Sequence, residues 1–147
     1  EYPAGHIPLE VRDGGVEVRV IAGMTSQGTK GPVVQPLTEP LYLDVRVPCG
    51  QGFFEVLPES HNAFLYVING SLNIENEDSN TISLGRDDLG VLTHGHVLKL
   101  HTDQEYARLL LVSGRPLNEP VARGGPFVMS TKVELLQAFD DYKHGEF

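Results

Sequence analysis

The chain has 147 residues, a length that suits one domain with a real core. Its apolar fraction of 40% holds no run near the roughly 20 residues that a membrane-spanning helix needs, and no charged start followed by an apolar stretch reads as a secretory signal. A formal net charge of -9 with scattered basic residues argues against direct nucleic-acid binding, and a single cysteine, Cys49, excludes an internal disulfide and a cysteine-rich zinc cluster. The expectation is a soluble, cytoplasmic, single-domain chain over 1–147. Because the first residue is Glu1 and not Met, sequence upstream is expected to be missing.

The first strong element is "VEVRVIAG" (16–23), where Val16, Val18 and Val20 alternate with Glu17 and Arg19 as in a strand with one wet and one buried face. "LYLDVRVP" (41–48) repeats the pattern through Leu41, Leu43, Val45 and Val47. The Gly-, Pro-, Ser- and Thr-rich stretch between them, 23–40, reads as one long loop. In "AFLYVINGSLNIE" (63–75), Asn69 and Gly70 separate two apolar runs and predict a hairpin on a type I′ turn.

Further short strands follow at "TISL", "LGVL", "HVLKL" and "ARLLLVSG", so the fold class is all-β, a sandwich or a closed barrel. One helix closes the chain in "STKVELLQAFDDYKHGEF". Thr131 and Glu134 have capping-box spacing, Leu135, Leu136, Phe139 and Tyr142 share a face, Lys143 and His144 suit the last turn, and Gly145 supplies a left-handed stop. The apolar stripe is expected to dock on the barrel, with another domain as the alternative.

Three of the six histidines fall in "HGHVLKLHT" (94–102). A mononuclear iron, manganese or nickel site needs three or four imidazole and carboxylate groups converging on one point. His94 and His96 have the spacing that puts two rings on one strand face, and His61 or Glu59 could supply a third ligand. Strand parity opposes this reading, because His101 lies on the other face with Val97 and Lys99, and Gly95 interrupts the pair. The residues therefore read as loop and strand-end histidines, hydrogen-bonded or solvated, and so do His6, His61 and His144. Nowhere does a nucleophile elbow, a phosphate-cradling glycine loop or a cysteine nucleophile arrangement appear.

The ending "RGGPFVMSTKVELLQAFDDYKHGEF" closely resembles the carboxyl terminus of the pirin family. "RVIAG", "LYLDVRVP", "HNAFLYVINGSL" and "ARLLLVSGRPLNEPV" resemble the second half of the same family in the same order. The resemblance implies a cupin-type β-barrel or jelly roll with one C-terminal α-helix. It also implies that the amino-terminal half of the whole protein carries the metal, iron or another divalent ion, on a His-x-His pair, a later His and a Glu.

In this chain the pair would fall near "EVLPESH" (55–61), where Val56 and Pro58 stand, and the later ligands near Leu98, Lys99 and Leu100. The expectation is therefore a metal-free domain without catalytic or metal-binding residues, holding no cofactor. Its role is structural or partner- and ligand-binding, beside a metal-binding N-terminal cupin domain of the same protein. The whole would resemble a quercetin 2,3-dioxygenase or a redox-sensitive transcription co-regulator. The alternative is a stand-alone mononuclear metal-dependent cupin dioxygenase on His61, His94, His96 and Glu59. A homodimer is also allowed, as is a small apolar ligand in an interior lined by Phe53, Phe54, Phe64, Tyr66 and Leu98.

Overall fold

The computed structural model describes residues 1–93, 95 and 97–145. Two compact units divide it after Pro116. The first holds nine strands: β1 (Leu9–Arg12), β2 (Val16–Ala22), β3 (Leu41–Val47), β4 (Gly52–Val56), β5 (Asn62–Glu75), β6 (Thr81–Gly85), β7 (Leu89–Leu92), β8 (Val97–His101) and β9 (Ala107–Gly114). They form one curled sheet in the order β1-β2-β3-β9-β5-β8-β4, with β6 and β7 also paired to β5. Every ladder is antiparallel, and neighbours distant in sequence, such as β3 with β9, mark the crossovers of a jelly roll.

Alternation sets the core. Val16, Val18 and Val20 of β2, Leu43, Val45 and Val47 of β3, and Leu109 and Leu111 of β9 all point inward and are essentially inaccessible to water. Each such side chain stabilises the fold by about 1.5–3 kcal/mol on transfer from water. The intervening residues stay at least partly wet, as the strand patterns of 16–22 and 41–47 predict.

The predicted hairpin at Asn69-Gly70 does not form. Residues 62–75 are one continuous strand, in which Asn69 and Gly70 pair with Arg108 and Ala107 of β9. The register slips between Val67 and Asn69, so Ile68 is an extra residue and the strand bends there. Gly70 has φ 75, and a Cβ on it would overlap the carbonyl oxygen of Tyr106. Asn-Gly signals positive φ, which a bulge and a tight turn both use. Partners decide between them: Ala63–Tyr66 pairs with β7, while Ser71–Glu75 pairs with β6. The bend thus hands one strand from one set of neighbours to another.

The second unit begins at Leu117 and contains the short hairpin of β10 (Ala122–Gly124) and β11 (Phe127–Met129), followed by α1 (Lys132–His144). The capping box is present: Thr131 Oγ1 accepts from Glu134 N at 3.2 Å, and the Glu134 carboxylate accepts from Thr131 N at 2.9 Å. Gly145 is left-handed, as predicted. Within this unit the apolar face meets the hairpin, with Phe127 edge-on to Phe139 and Tyr142 at centroid distances of 5.2 and 5.8 Å. Leu136 departs from the predicted stripe and is 69% exposed. Among the described residues no helix is long and apolar enough to cross a membrane.

Candidate functional site

The loop 23–40 folds back over the inner end of the sheet. Gly31 N donates to Gly23 O at 2.8 Å, Val33 N to Ile21 O at 3.2 Å, and Arg115 N to Thr38 O at 2.7 Å. A Cβ on Gly31 would lie 2.6 Å from the Ile21 carbonyl carbon, so only glycine lets the loop return this closely. The folded loop walls a cavity of about 830 Å³. Met24, Val33, Pro36, Pro40 and Leu41 contribute apolar walls, and Val56, Pro58, His61 and Ser113 come from the other side.

Two buried polar atoms on residues of this lining have no partner among the described residues. His61 Nδ1 and Ser113 Oγ are both buried and make no hydrogen bond. The His61 side chain is only 5% exposed, and its Nε2 lies 3.7 Å from Glu39 Oε2. That same carboxylate oxygen takes Arg115 Nη2 at 2.8 Å. Glu39 occupies the left-handed region with φ 44, a strained conformation for a residue with a side chain. Leaving a buried polar group unsatisfied costs about 1–3 kcal/mol. His61 was expected to be solvated or hydrogen-bonded; instead its ring is buried with an open nitrogen. Interior packing at the start of β5 overrides the polar character of the residue, because His61 shares the inward parity of Ala63 and Leu65.

Beside the cavity lies a buried charge network that strand alternation hides. Arg12 Nη2 donates to Glu55 Oε2 at 2.6 Å, Arg12 Nε to Glu10 Oε1 at 2.6 Å, and Arg12 Nη1 to the carbonyl of Phe54 at 2.7 Å. The guanidinium also stacks over the Phe53 ring at 4.9 Å. Thr25 Oγ1 donates to Glu10 Oε2 at 2.6 Å, and Ser26 N to Glu55 Oε1 at 2.5 Å. Burial pushes the Glu10 carboxyl up, but hydrogen bonds from Thr25, Thr29 and Arg12 prevail and hold it below the usual carboxylate range. Thr25 and Ser26 also line the cavity, so the network anchors the loop that forms its wall.

The positions where the resemblance places metal ligands do not fit a coordination sphere. Val56 and Pro58 both line the cavity and carry no donor atom. Leu98 and Leu100 are buried opposite Glu55 and Phe53, and Lys99 is exposed. Glu55 points inward, yet both its oxygens are engaged by Arg12 and Ser26. Glu59 is exposed and does not line the cavity. His94 and His96 lie outside the described residues. Among the described residues, no group of three or more His, Cys, Asp or Glu is placed to hold an ion.

The remaining expectations sort by strand face. His101 turns away from the interior, with Nδ1 3.6 Å from Glu75 and Nε2 3.9 Å from Asp103, as parity predicts. His6 is exposed, and His144 Nδ1 lies 2.9 Å from the Asp140 carbonyl in the last helical turn. The five residues proposed to line an apolar interior do not share a cavity. Phe53 and Leu98 are packed in the core, Phe54 and Phe64 face outward at 50% and 40% exposure, and Tyr66 donates its hydroxyl to Asp87 at 2.8 Å. The sequence did carry a signal for the true lining: Ser113 is the polar exception in the inward series Ala107, Leu109, Leu111. Glu55 is the same kind of exception between Phe53 and Leu57.

Residues 42–147 match the family model described as the pirin C-terminal cupin domain. A pirin-like protein of Caulobacter vibrioides is 40% identical over 100% of this chain and 51% of its own length, and the pirin of Mus musculus is 33% identical over 99% and 49%. A crystal structure of a quercetin 2,3-dioxygenase from Acinetobacter baumannii superposes with a TM-score of 0.82 at 30% identity, covering 99% of this chain and 49% of that one. The chain thus spans about half the length of the curated relatives it matches. Curled sheet, terminal capped helix and family match agree: the chain has a cupin fold and belongs to the pirin family as its C-terminal cupin domain.

Proposed function

We propose that this domain is the metal-free half of a two-cupin protein and supports a metal-binding N-terminal cupin domain of the same protein. The observation that carries the reading is the replacement of a donor set by Val56, Pro58, Leu98 and Leu100, with the one inward carboxylate of β4 already neutralised by Arg12. Without a Lewis acid the domain has no means of activating dioxygen. Its contribution is packing and partner contact, and the intact protein, with iron or another divalent metal in the other half, acts as a quercetin 2,3-dioxygenase or as a redox-sensitive transcription co-regulator.

Flavonol-dependent oxygen uptake tests the division of labour. The 147-residue chain should consume no oxygen with quercetin at any added iron concentration, whereas the full-length protein does so in the enzymatic case. Turnover by the isolated chain that disappears in His61→Ala, His94→Ala or His96→Ala would establish the competing reading, a stand-alone metal enzyme.

A further inference from the structure

We infer that the outer face of the sheet, where β3, β9, β5 and β7 run side by side, is the seat of the other cupin half of the same protein. This assignment rests on the two-cupin reading above and names the surface through which the halves meet.

The central strands are apolar on both faces. In β2 the inward valines alternate with Glu17 and Arg19, as in a strand with one wet face. β9 and β5 break that rule: Leu110 and Val112 stand between the inward Leu109, Leu111 and Ser113, and Phe64 and Tyr66 flank the inward Leu65. A nearly continuous apolar run is the pattern of a strand covered on both sides.

Register gathers the outward side chains into one patch. Tyr42, Val112, Phe64 and Val91 lie directly opposite one another from β3 to β7, and Leu110, Tyr66 and Leu89 do the same in the next row. Asp44 begins that second row on β3, where Arg108 donates to it at 3.1 and 2.8 Å. An apolar centre with aromatic rings and a charged rim is the anatomy of a protein interface. Phe64, Leu89 and Val91 are all exposed, so the centre of this patch is open in the 147-residue chain.

Length and tethering choose the occupant. The relatives that this chain matches are about twice as long, so each carries a second half of similar size. A half held by a short linker presents itself at an effective concentration on the order of millimolar, above that of a free second copy. A second cupin also brings an outer sheet face of its own, and two such faces pack about 10 Å apart with interdigitating side chains.

Photocrosslinking in the full-length protein tests the assignment, using Val91→benzoylphenylalanine and, as the control, Val11→benzoylphenylalanine. Both sites are open in this domain, at 76% and 64% exposure, but Val11 lies on β1, outside the patch. Mass-spectrometric mapping should find crosslinks from Val91 in peptides of the other half and none there from Val11. Leu89→benzoylphenylalanine provides a second site if the Val91 variant does not fold. Crosslinks to 117–147, crosslinks to a second copy, or none to the other half would each overturn the assignment. Iron content of the same protein separates the two readings: crosslinks from Val91 to a metal-free half keep the interface and remove the metal reading, and a metal-loaded half without crosslinks does the reverse.

Discussion

Arg12 and Glu55 meet at 2.6 Å across the two ends of the sheet order, β1 and β4, which share no ladder. Both side chains are nearly excluded from water, at 7% and 1% exposure. The second bond from Arg12 to the Phe54 carbonyl and the stacking on Phe53 make this pair a side-chain clasp that closes the curled sheet. A buried ion pair gains little over well-packed apolar residues, but breaking one by removing a partner costs about 3–5 kcal/mol.

Arg12→Met is therefore expected to lower the unfolding free energy by about 3–5 kcal/mol, since it strands the carboxylates of Glu10 and Glu55 in the interior. Pairing it with Glu55→Met should recover at least about 1 kcal/mol of that loss, as expected for coupled neighbours. Urea denaturation of the two single variants and the double variant checks this. Additive losses would show that the clasp contributes nothing as a unit.

The Glu10 carboxyl lies below its ordinary value of 4.5 in the folded chain, with burial opposing the shift and the hydrogen bonds of Thr25, Thr29 and Arg12 producing it. The unfolded chain therefore binds a proton at Glu10 that the folded chain refuses. The resulting stability is complete above the unfolded value and is lost as pH falls through the folded one. The urea midpoint should thus decline below pH of about 5, and more shallowly in Glu10→Gln than in the parent. Parallel curves for the two proteins would contradict the assigned hydrogen bonds.

Gly70 and Gly28 separate conformation from contact. Both have positive φ, at 75 and 94, but a Cβ on Gly70 strikes the Tyr106 carbonyl whereas one on Gly28 meets nothing within 4 Å. Gly28→Ala should cost the left-handed penalty alone, about 1–2 kcal/mol, and Gly70→Ala about 3 kcal/mol or more because the bulge cannot re-form. Thermal unfolding of both variants makes the comparison. Equal losses would mean that β5 can bend without a glycine.

How far the sequence was readable depended on whether the decisive contact was local. Period-two alternation in 16–22 and 41–47, and the Thr131–Glu134 cap with Gly145, are set by neighbours a few residues apart, and the structure forms them as read. Gly70 has the positive φ that Asn-Gly signals and Asn69 does not, because the choice between turn and bulge depended on β6, β7 and β9, which lie elsewhere in the chain. The pairing of Glu10, Arg12 and Glu55 spans up to 43 residues, so the alternation of any one strand does not announce it. The cavity was hidden for the same reason: a loop rich in Gly and Pro announces irregular backbone, not the sheet end it will cover.

At the positions where the family resemblance places ligands, this cupin carries apolar and already-paired side chains. Whether they leave room for an ion is read by elemental analysis of the 147-residue chain, purified without chelator, equilibrated with ferrous iron under nitrogen and desalted. Far less than one transition-metal ion per chain is expected, unchanged in His94→Ala and His96→Ala. One tightly retained ion per chain, lost in those variants, would contradict it.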